Sequence, residues 1–384
     1  MAFLKYLLAT GFVTLGLICC ANAQSVSPLV QQFNLPSGKI TPSGSLGQFA
    51  TSGRGGLNVV SPNGTPAHFY PTPSRAKALR AMKPAGVAGA IGAAGPLGTP
   101  PLTYHTGGRI MSPYVLVYPI YWFPPTLQNG AAATYSSKYT TVTYLLAAWL
   151  TQGHGLNAVA SQYYEIVNNV TNYIPNWGSL GEYYVDTSPY PASACNGAYS
   201  VPGVVTAGNC ITDAQITAEI QRVMAIKGWT GGYNKIFMLF TARGEGSCFN
   251  STTTSDCSYT AYCGYHSYMT TPTNPTMYTN QPYATQGYCT SGTTPNGDIE
   301  ADSAASVASH EIEETVTDPL LNAWYDSSGY ENGDECAWIY GTNPITNPAN
   351  GVAANQFMNG WYFELQQEWS QNSGPTGACV DGSQ

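Results

Sequence analysis

The sequence predicts a single exported domain of the α/β or α+β class, built on a mixed sheet and stabilised by disulfides. Two apolar runs rich in β-branched and aromatic residues, "YVLVYPIYWF" at 114–123 and "NKIFMLFTA" at 234–242, are typical of buried strands. Helical patterns stand between these runs, and the alternation of the two element types indicates a mixed architecture. An even number of cysteines follows the N-terminal leader, as in disulfide-stabilised exported proteins.

The chain begins with the pattern of a secretory signal peptide. Lys5 precedes an apolar run from Tyr6 to Cys20, and the small residues "ANA" follow at 21–23. We therefore expect a signal peptide at 1–23 and a mature protein that begins at Gln24. No later apolar run reaches the roughly 18 residues that a membrane helix needs. The expected location is extracellular or periplasmic, with no membrane association once the leader is removed.

Residues 24–101 are rich in Gly, Ala, Pro and Ser and hold few large apolar residues in periodic order. Charge also sets this region apart, because residues 24–109 carry seven bases and no acid, whereas residues 110–384 carry five bases and all 21 acids. Two interpretations stay open. The segment is a flexible spacer, or it is a basic pro-segment that docks on the acidic domain at 102–384. An acidic chain of this kind gives no indication of nucleic-acid binding.

Further elements are predicted along residues 102–384. Helical patterns occur at 140–151, 156–170 and 213–227. The last of these begins with a candidate capping box formed by Thr212 and Gln215. A stretch rich in Cys and Tyr, residues 244–296, is predicted as a loop region. No internal repeat is visible, so one large domain accounts for this part of the chain.

Eight cysteines remain in the mature chain, at positions 195, 210, 248, 257, 263, 289, 336 and 379. None of them forms the paired C-x-x-C arrangement of a structural zinc site, so four disulfides are expected. We predict the pairs Cys195–Cys210 and Cys336–Cys379. The pairing of the middle four cysteines stays open.

The segment "PNGDIEADSAASVASHEIEETVTDP", residues 295–319, predicts a helix with catalytic potential. We expect a cap at Asp302 or Ser303 and an end forced by Pro319. His310 and Glu314 are four residues apart and share a helix face, whereas Glu311 is turned by about 100° from the histidine. This spacing places one imidazole and one carboxylate on a single metal ion, with Glu311 beside the attacking water as a general base.

The remaining metal ligands are expected outside this helix. The glycine-rich segment "YDSSGYENGDEC" at 325–336 offers Asp326, Glu331 and Asp334. His266 in "CGYHSY" is a rival ligand or a catalytic hydrogen-bond donor. The predicted metal set is therefore His310, Glu314, Glu331 and Asp334. A divalent ion is expected, with zinc favoured and calcium as the alternative.

A simpler interpretation competes with the metal site. Glu313 and Glu314 are also what the solvated face of a surface helix presents, and a single His-Glu pair is common by chance. The density of acidic residues favours metal binding, because eleven carboxylates and no base lie between residues 296 and 335. Buried or crowded carboxylates need a compensating cation, and a metal ion supplies one.

The motif "HEIEETVTDPLLNAWYDSSGYENGDEC" resembles the EXORDIUM or phosphate-induced protein family. Two further matches, "LTYHTGGRIMSPYVLVYPIYW" at 102–122 and "CGYH" at 263–266, extend the resemblance over residues 102–384. The resemblance implies a secreted protein, which in plants resides in the cell wall and influences growth. Microbial members with the same His-Glu-x-x-Glu helix look like relatives of zinc peptidases, which implies a zincin-like active-site helix carrying His310, Glu311 and Glu314.

Three functions are consistent with these residues. The first is a secreted metallopeptidase-like hydrolase, although a carboxylate in place of the second histidine makes the metal a weaker Lewis acid. The second is a non-catalytic extracellular or cell-wall-associated binding or signalling protein that a metal ion stabilises. The third is a glycosidase that uses two carboxylates. The expected partner is an extracellular peptide or a cell-wall polymer, and the sequence does not define the oligomeric state.

Overall fold

The computed structural model of the chain describes residues 57–61, 64–82, 95–150, 156–270, 274–285, 287–341, 345–358 and 360–382. The predicted signal peptide at 1–23 lies outside these residues. Ser43–Gln384 form one compact unit, which contains every described residue.

Helices and strands alternate along this unit. The helices within the described ranges are α1 (Pro73–Ala81), α2 (Tyr139–Leu150), α3 (Leu156–Ala160), α4 (Asp213–Lys227), α5 (Ile299–Thr317) and α6 (Asn332–Glu335). The strands of these ranges are β1 (Asn58–Val60), β2 (Pro66–Pro71), β3 (Thr103–Tyr104), β4 (Val115–Trp122), β5 (Tyr164–Val167), β6 (Val170–Tyr173), β7 (Gly178–Leu180), β8 (Tyr184–Asp186), β9 (Cys210–Thr212), β10 (Lys235–Thr241), β11 (Gly246–Cys248), β12 (Tyr262–Thr270), β13 (Pro275–Gln281), β14 (Trp324–Tyr325), β15 (Ile345–Thr346), β16 (Ala353–Ala354), β17 (Gln356–Met358), β18 (Trp361–Phe363), β19 (Glu368–Ser370) and β20 (Ala378–Val380).

The largest sheet is mixed, as the sequence predicted. Its strand order is β1-β2-β12-β13-β10-β4, and both β7 and β8 pair with β4. Strands β13, β10 and β4 are parallel, whereas β12 runs antiparallel to β13 and to β2. The two predicted strands are confirmed as β4 and β10. From Ile236 to Thr241 every side chain of β10 is buried, which explains its nearly continuous apolar sequence.

Two of the three predicted helices are confirmed, as α2 and α4. The amide of Thr212 donates to Gln215 Oε1 at 3.0 Å, as expected for the capping box. The helix predicted at 156–170 is wrong beyond α3, because β5 and β6 form a hairpin there. Asn168 and Asn169 connect these strands with φ angles of 53° and 63°. Positive φ at two successive residues is the requirement of a tight hairpin turn, and asparagine tolerates it better than most residues.

The prediction of a loop region at 244–296 is also wrong, because β12 and β13 lie inside it and stand next to each other in the sheet. Their Ser, Thr, His and Asn residues led to the prediction of a loop, because they interrupt the apolar pattern expected of buried strands. These polar groups are buried, and some of them find partners across the fold. For example, Asn280 Nδ2 donates to Ser247 Oγ at 2.9 Å. On the same two strands, the hydroxyls of Tyr265 and Tyr278 both donate to Asp213 Oδ1, at 2.8 and 2.6 Å.

The boundary predicted at residue 101 must be corrected. The described part of residues 24–101 contributes β1, β2 and α1, and β2 lies in the sheet beside β12. Phe69 and Tyr70 of β2 are buried in the core. Trp338 Nε1 donates to Pro71 O at 2.9 Å, and the Leu97 amide donates to Glu335 O at 3.0 Å. These residues are an integral part of the domain and do not form a separate spacer.

Four disulfides cross-link the described residues. Cys195–Cys210 and Cys336–Cys379 confirm the two predicted pairs. The middle cysteines form Cys248–Cys257 and Cys263–Cys289. This number of disulfides is consistent with an oxidising, extracellular environment. Among the described residues, no helix has the length and apolar character required to cross a membrane.

Candidate metal centre

Helix α5 carries the acidic motif and is buried along almost its whole length. It begins four residues earlier than the predicted cap, because Asp298 is the N-cap and accepts hydrogen bonds from the amides of Glu300 and Ala301. It ends at Thr317, close to Pro319 as predicted. All side chains from Ala301 to Thr317 are buried. The alternative of a solvated acidic face is therefore excluded.

Two histidines reach α5 from neighbouring strands. His68 of β2 and His266 of β12 are directly opposite each other in the antiparallel pair, so both side chains lie on the same face of the sheet. Their ring centroids are 5.6 Å apart, and both residues are fully buried. Helix α5 packs against these two strands. Its acidic residues therefore meet two imidazoles.

Glu314 occupies the centre of this arrangement. Its Oε2 lies 3.1 Å from His310 Nε2, 3.6 Å from His266 Nδ1 and 4.0 Å from His68 Nε2. A tetrahedral zinc ion with bonds of about 2.1 Å separates its ligand atoms by about 3.4 Å. The observed distances around Glu314 are close to this separation.

The short helix α6 brings two more carboxylates. The amide of Asp334 donates to Glu314 Oε1 at 2.9 Å, and the amide of Glu331 donates to Asp334 Oδ2 at 3.0 Å. Gly333 permits this close packing, because a Cβ atom there would lie 2.7 Å from His310 Nδ1 and 2.9 Å from Glu314 Oε1. Asp334 Oδ2 is also 2.5 Å from His68 Nε2.

Glu311 points into the same buried space. Its Oε2 lies 3.4 Å from His266 Nδ1. On the other side of the imidazole, Glu331 Oε2 lies 3.6 Å from His266 Nε2. Of the residues that the sequence proposed, the structure thus brings together His266, His310, Glu311, Glu314, Glu331 and Asp334.

Burial and mutual repulsion shift the protonation of these groups. Burial raises the pKa of Glu311, Glu314 and Glu331 well above the usual value, and neighbouring carboxylates raise it further. Burial also lowers the pKa of His266, and it lowers the pKa of His310 to about 3. His68 differs, because Asp334 and Glu314 outweigh the effect of burial and raise its pKa to about 9. The cluster therefore attracts positive charge.

Hydrogen bonds outside the cluster orient His68 as a ligand. Asn58 Nδ2 donates to Gly329 O at 3.0 Å, which fixes the amide with its Oδ1 toward the histidine. His68 Nδ1 lies 2.9 Å from that Oδ1 and can act only as the donor. The neutral imidazole then carries its proton on Nδ1 and presents the lone pair of Nε2 to Glu314 and Asp334. Such outer partners are typical of metal-binding histidines.

His310 has the opposite arrangement. Gln366 Oε1 accepts from the Trp338 amide at 2.9 Å and Gln366 Nε2 donates to Gly333 O at 2.8 Å, so its amide orientation is fixed. The same Nε2 lies 2.9 Å from His310 Nδ1, which must be the acceptor. The proton of neutral His310 is then on Nε2, which disfavours metal binding through that atom. Tyr70 stacks on the ring at 3.8 Å and holds it in place.

Several polar atoms of the cluster are buried without a hydrogen-bond partner. Apart from the protonated Nε2 of His310, they are both ring nitrogens of His266, both oxygens of Glu311, Glu314 Oε2, Glu331 Oε2 and Asp334 Oδ1. Buried polar atoms are normally paired, so a convergent set of unpaired nitrogen and oxygen atoms fits a bound cation. The donor set also fits zinc better than calcium, because calcium prefers six to eight oxygen ligands.

Two sets of ligand atoms are compact enough to hold an ion. One consists of His68, Glu314 and Asp334, the other of His266, Glu311 and Glu314, and within each set the atoms lie within 4.8 Å of one another. Neither set includes His310, whose predicted ligand role stays a prediction. A third cluster, Cys195, Cys210 and Cys248, has its sulfurs in disulfides and offers no thiolate.

Comparison with known proteins identifies relatives of this chain. Protein EXORDIUM-like 3 of Arabidopsis thaliana is 47% identical over 69 residues, which cover 17% of this chain and 19% of the relative. Protein EXORDIUM-like 5 of the same plant is 35% identical over 107 residues, or 21% of this chain and 29% of the relative. These two matches support membership of the chain in the EXORDIUM family.

The similarity to the two EXORDIUM-like proteins is local. The chain spans about a fifth of the length of one relative and less than a third of the other. No family model matches the chain, and no solved structure matches it. The functional conclusions for this chain therefore rest on the geometry of the buried cluster.

The sequence analysis missed His68. The residue lies in a segment that we interpreted as a spacer or pro-segment, and 266 positions separate it from Asp334. Two local signals could have identified it. "HFY" at 68–70 is rich in strand-forming residues, and Thr72 and Pro73 after it form a helix start. The Thr72 side chain accepts from the Arg75 amide at 3.2 Å, which confirms that start.

Proposed function

We propose that this protein is a secreted, metal-dependent hydrolase of the metallopeptidase type that acts on an extracellular peptide. The orientation of Glu311 carries the proposal. A glutamate whose only role was to balance charge would be more stable if it faced solvent. Glu311 is instead fully buried, and both of its oxygens lack a hydrogen-bond partner. It faces the imidazole of His266 beside Glu314. A base next to a metal ligand is the arrangement that metal-dependent hydrolysis requires.

His68, Glu314 and Asp334 are the proposed ligands of the ion. We favour zinc, because imidazole and carboxylate together are common zinc ligands. A bound zinc ion supplies Lewis acidity toward a water molecule and a carbonyl oxygen. The two carboxylates neutralise much of the charge of the ion, so the rate should be modest.

Glu311 and His266 are the proposed catalytic residues. Burial and the nearby charge of Glu314 raise the pKa of Glu311, which makes its carboxylate a stronger base for the proton of the attacking water. His266 stays neutral, because burial lowers its pKa, and a neutral imidazole can donate one hydrogen bond to a developing oxyanion. Both residues lie on rigid elements, β12 and α5, which is favourable for positioning.

A second candidate function is a metal-stabilised binding or signalling protein. The burial of the centre favours it, because six of its seven residues (His68, His266, His310, Glu311, Glu314 and Asp334) are 0% exposed and Glu331 is 2% exposed. Structural metal sites are closed, whereas catalytic sites keep an open position. The hydrolase therefore requires an opening movement that admits substrate. The glycosidase hypothesis has no comparable support. Glycosidases separate their two catalytic carboxyl groups by roughly 5 to 9.5 Å. The ligand oxygens of Glu311 and Glu314 lie within 4.8 Å of each other.

Three neighbouring glutamates permit a matched experiment. Glu311→Gln, Glu314→Gln and Glu313→Gln each replace a buried carboxylate by an amide of the same shape. Glu313 is the control, because it lies in neither set of ligand atoms. We would measure the metal content of each purified variant and the cleavage of a fluorogenic peptide library.

The proposed hydrolase activity predicts a specific pattern of metal content and hydrolysis in these three variants. Glu314→Gln should lose most of its metal, and Glu313→Gln should behave as the wild type. Glu311→Gln should keep the ion at His68 and Asp334, while hydrolysis falls by about 10²-fold or more. Wild-type metal content without hydrolysis of any peptide would support the binding protein instead. Full metal content in Glu314→Gln would refute both functions.

A further inference from the structure

We propose that the centre holds two divalent ions that share Glu314. This inference rests on the metal-binding part of the proposed function. His68 and Asp334 would hold one ion, and His266 and Glu311 would hold the second. Each ion receives one imidazole nitrogen and one carboxylate of its own, and Glu314 contributes to both.

The distances support a shared ligand. Glu314 Oε2 lies 3.6 Å from His266 Nδ1 and 4.0 Å from His68 Nε2, and the two rings are 5.6 Å apart between centroids. The two imidazoles therefore approach one carboxylate from different positions. Both sets of ligand atoms contain Glu314, and no other residue belongs to both. In hydrolases with two metal ions, the ions are typically about 3.5 to 4 Å apart.

Charge balance supports two ions over one. The centre contains four buried carboxylates, namely Glu311, Glu314, Glu331 and Asp334. Within the described part of the chain, the ion pairs of these carboxylates involve only histidines. One divalent ion beside neutral histidines would leave a charge of about −2 in a buried site, whereas two ions balance the four carboxylates.

Glu331 contacts both histidines on the ring nitrogens that face away from the two proposed ions. Its Oε1 lies 3.5 Å from His68 Nδ1, and its Oε2 lies 3.6 Å from His266 Nε2. The carboxylate thus extends from one histidine to the other. Glu331 Oε2 has no hydrogen-bond partner among the described residues. A carboxylate in this position stabilises both imidazoles as ligands from outside the ion-binding positions.

The second ion refines the role of Glu311. In the two-ion centre Glu311 would hold the second ion, which would supply Lewis acidity toward the attacking water. Its replacement by glutamine should then remove one ion and keep the other. Hydrolysis should fall equally whether Glu311 is a metal ligand or a general base that does not bind the metal. The number of metal ions per chain is therefore the decisive measurement.

The test begins with the full-length secreted protein. The purified chain is stripped with a chelator and titrated with Zn²⁺ by calorimetry, and its metal content is measured after dialysis. Two zinc ions per chain are expected. A parallel sample loaded with Mn²⁺ should show the exchange-coupled electron paramagnetic resonance spectrum of two adjacent ions. Neither measurement depends on activity.

Single variants locate the two ions. His68→Gln and His266→Gln should each reduce the zinc content from two ions to one and abolish the exchange coupling. His105→Gln is the control, because His105 stacks on Tyr325 outside the centre, and it should retain two ions. Circular dichroism and thermal unfolding would establish that the variants are folded.

The outcomes distinguish this inference from the proposed function. One zinc ion in the wild type would overturn the two-ion centre and leave the hydrolase proposal intact. No bound zinc would overturn both. Two ions that persist in both His68→Gln and His266→Gln would refute the assigned positions. The wild-type measurements decide the number of ions even if a variant does not fold.

Discussion

Gly264 of β12 lies directly against Glu311 of α5. A Cβ atom at Gly264 would lie 2.7 Å from Glu311 Oε1 and 3.0 Å from Val307 Cγ1. Real Cβ atoms do not approach other atoms as closely as 2.7 Å, so a side chain at this position would displace the carboxylate of Glu311. The position of Glu311 beside His266 therefore depends on a missing side chain two residues before that histidine.

Gly264→Ala should displace Glu311 and weaken the metal centre. We expect a loss of about 1 to 3 kcal/mol in the free energy of unfolding, as for other overpacked core positions. Zinc affinity should fall as well. Gly197→Ala is the matched control, because nothing lies within 4 Å of a Cβ atom at that glycine. Urea unfolding and zinc titration of both variants provide the test, and equal behaviour of the two would contradict the close packing.

Asn58→Ala should weaken metal binding without removing a ligand. Asn58 Oδ1 accepts the hydrogen bond that orients His68, and loss of such outer partners typically lowers metal affinity by about 10- to 100-fold. Asn172→Ala in β6, a strand outside the main sheet, should leave the affinity unchanged. Competition with a chromogenic zinc chelator would measure both. An Asn58→Ala variant with wild-type affinity would show that His68 needs no orientation or does not bind the ion.

The disulfide Cys336–Cys379 should support the metal centre as well as the fold. Cys336 directly follows α6, whose Asp334 contacts Glu314 and His68. Removal of this pair as Cys336→Ser with Cys379→Ser should cost about 2 to 5 kcal/mol in stability and lower zinc affinity. The control replaces Cys195 and Cys210 by serine, which should affect stability alone. If both double variants retained the same zinc affinity, the proposed coupling would be wrong.

Asp213 should make stability depend on pH. Burial raises its pKa to about 6, although the hydroxyls of Tyr278 and Tyr265 oppose the rise. The folded state therefore favours the protonated acid. The resulting stabilisation is complete below the unfolded pKa of about 3.9 and is lost as the pH rises through about 6.

Asp213→Asn tests this dependence, because the amide oxygen can still accept both tyrosine hydrogen bonds. At pH 7 the variant should be more stable than the wild type by at most about 3 kcal/mol, and at pH 4 the two should be equal. Urea unfolding at both pH values measures the difference. Equal stability at pH 7 would mean that the folded protein accommodates the charge, for instance at the N-terminus of α4.

The sequence predicted features that depend on local spacing. His310 and Glu314 had to share a face because a helix places residues four apart side by side, and the apolar runs of β4 and β10 had to be buried. Prediction from the sequence failed where contacts between distant parts of the chain override local composition. Strand β12 has the composition of a polar loop. Its backbone hydrogen-bonding groups nevertheless pair with those of β2 and β13. Local signals indicate a strand at His68, but they do not reveal its pairing with β12, which brings this histidine to the centre.

The position of β2 has a practical consequence for truncated forms of the protein. A chain that begins at residue 102, where the resemblance to the EXORDIUM family starts, would lack the strand that covers β12. The backbone groups of β12 that now bond to β2 would then be exposed along an edge strand. Exposed edges of this kind recruit strands from other molecules and promote aggregation. A truncated preparation would therefore self-associate for reasons unrelated to catalysis, and expression boundaries should lie before residue 57.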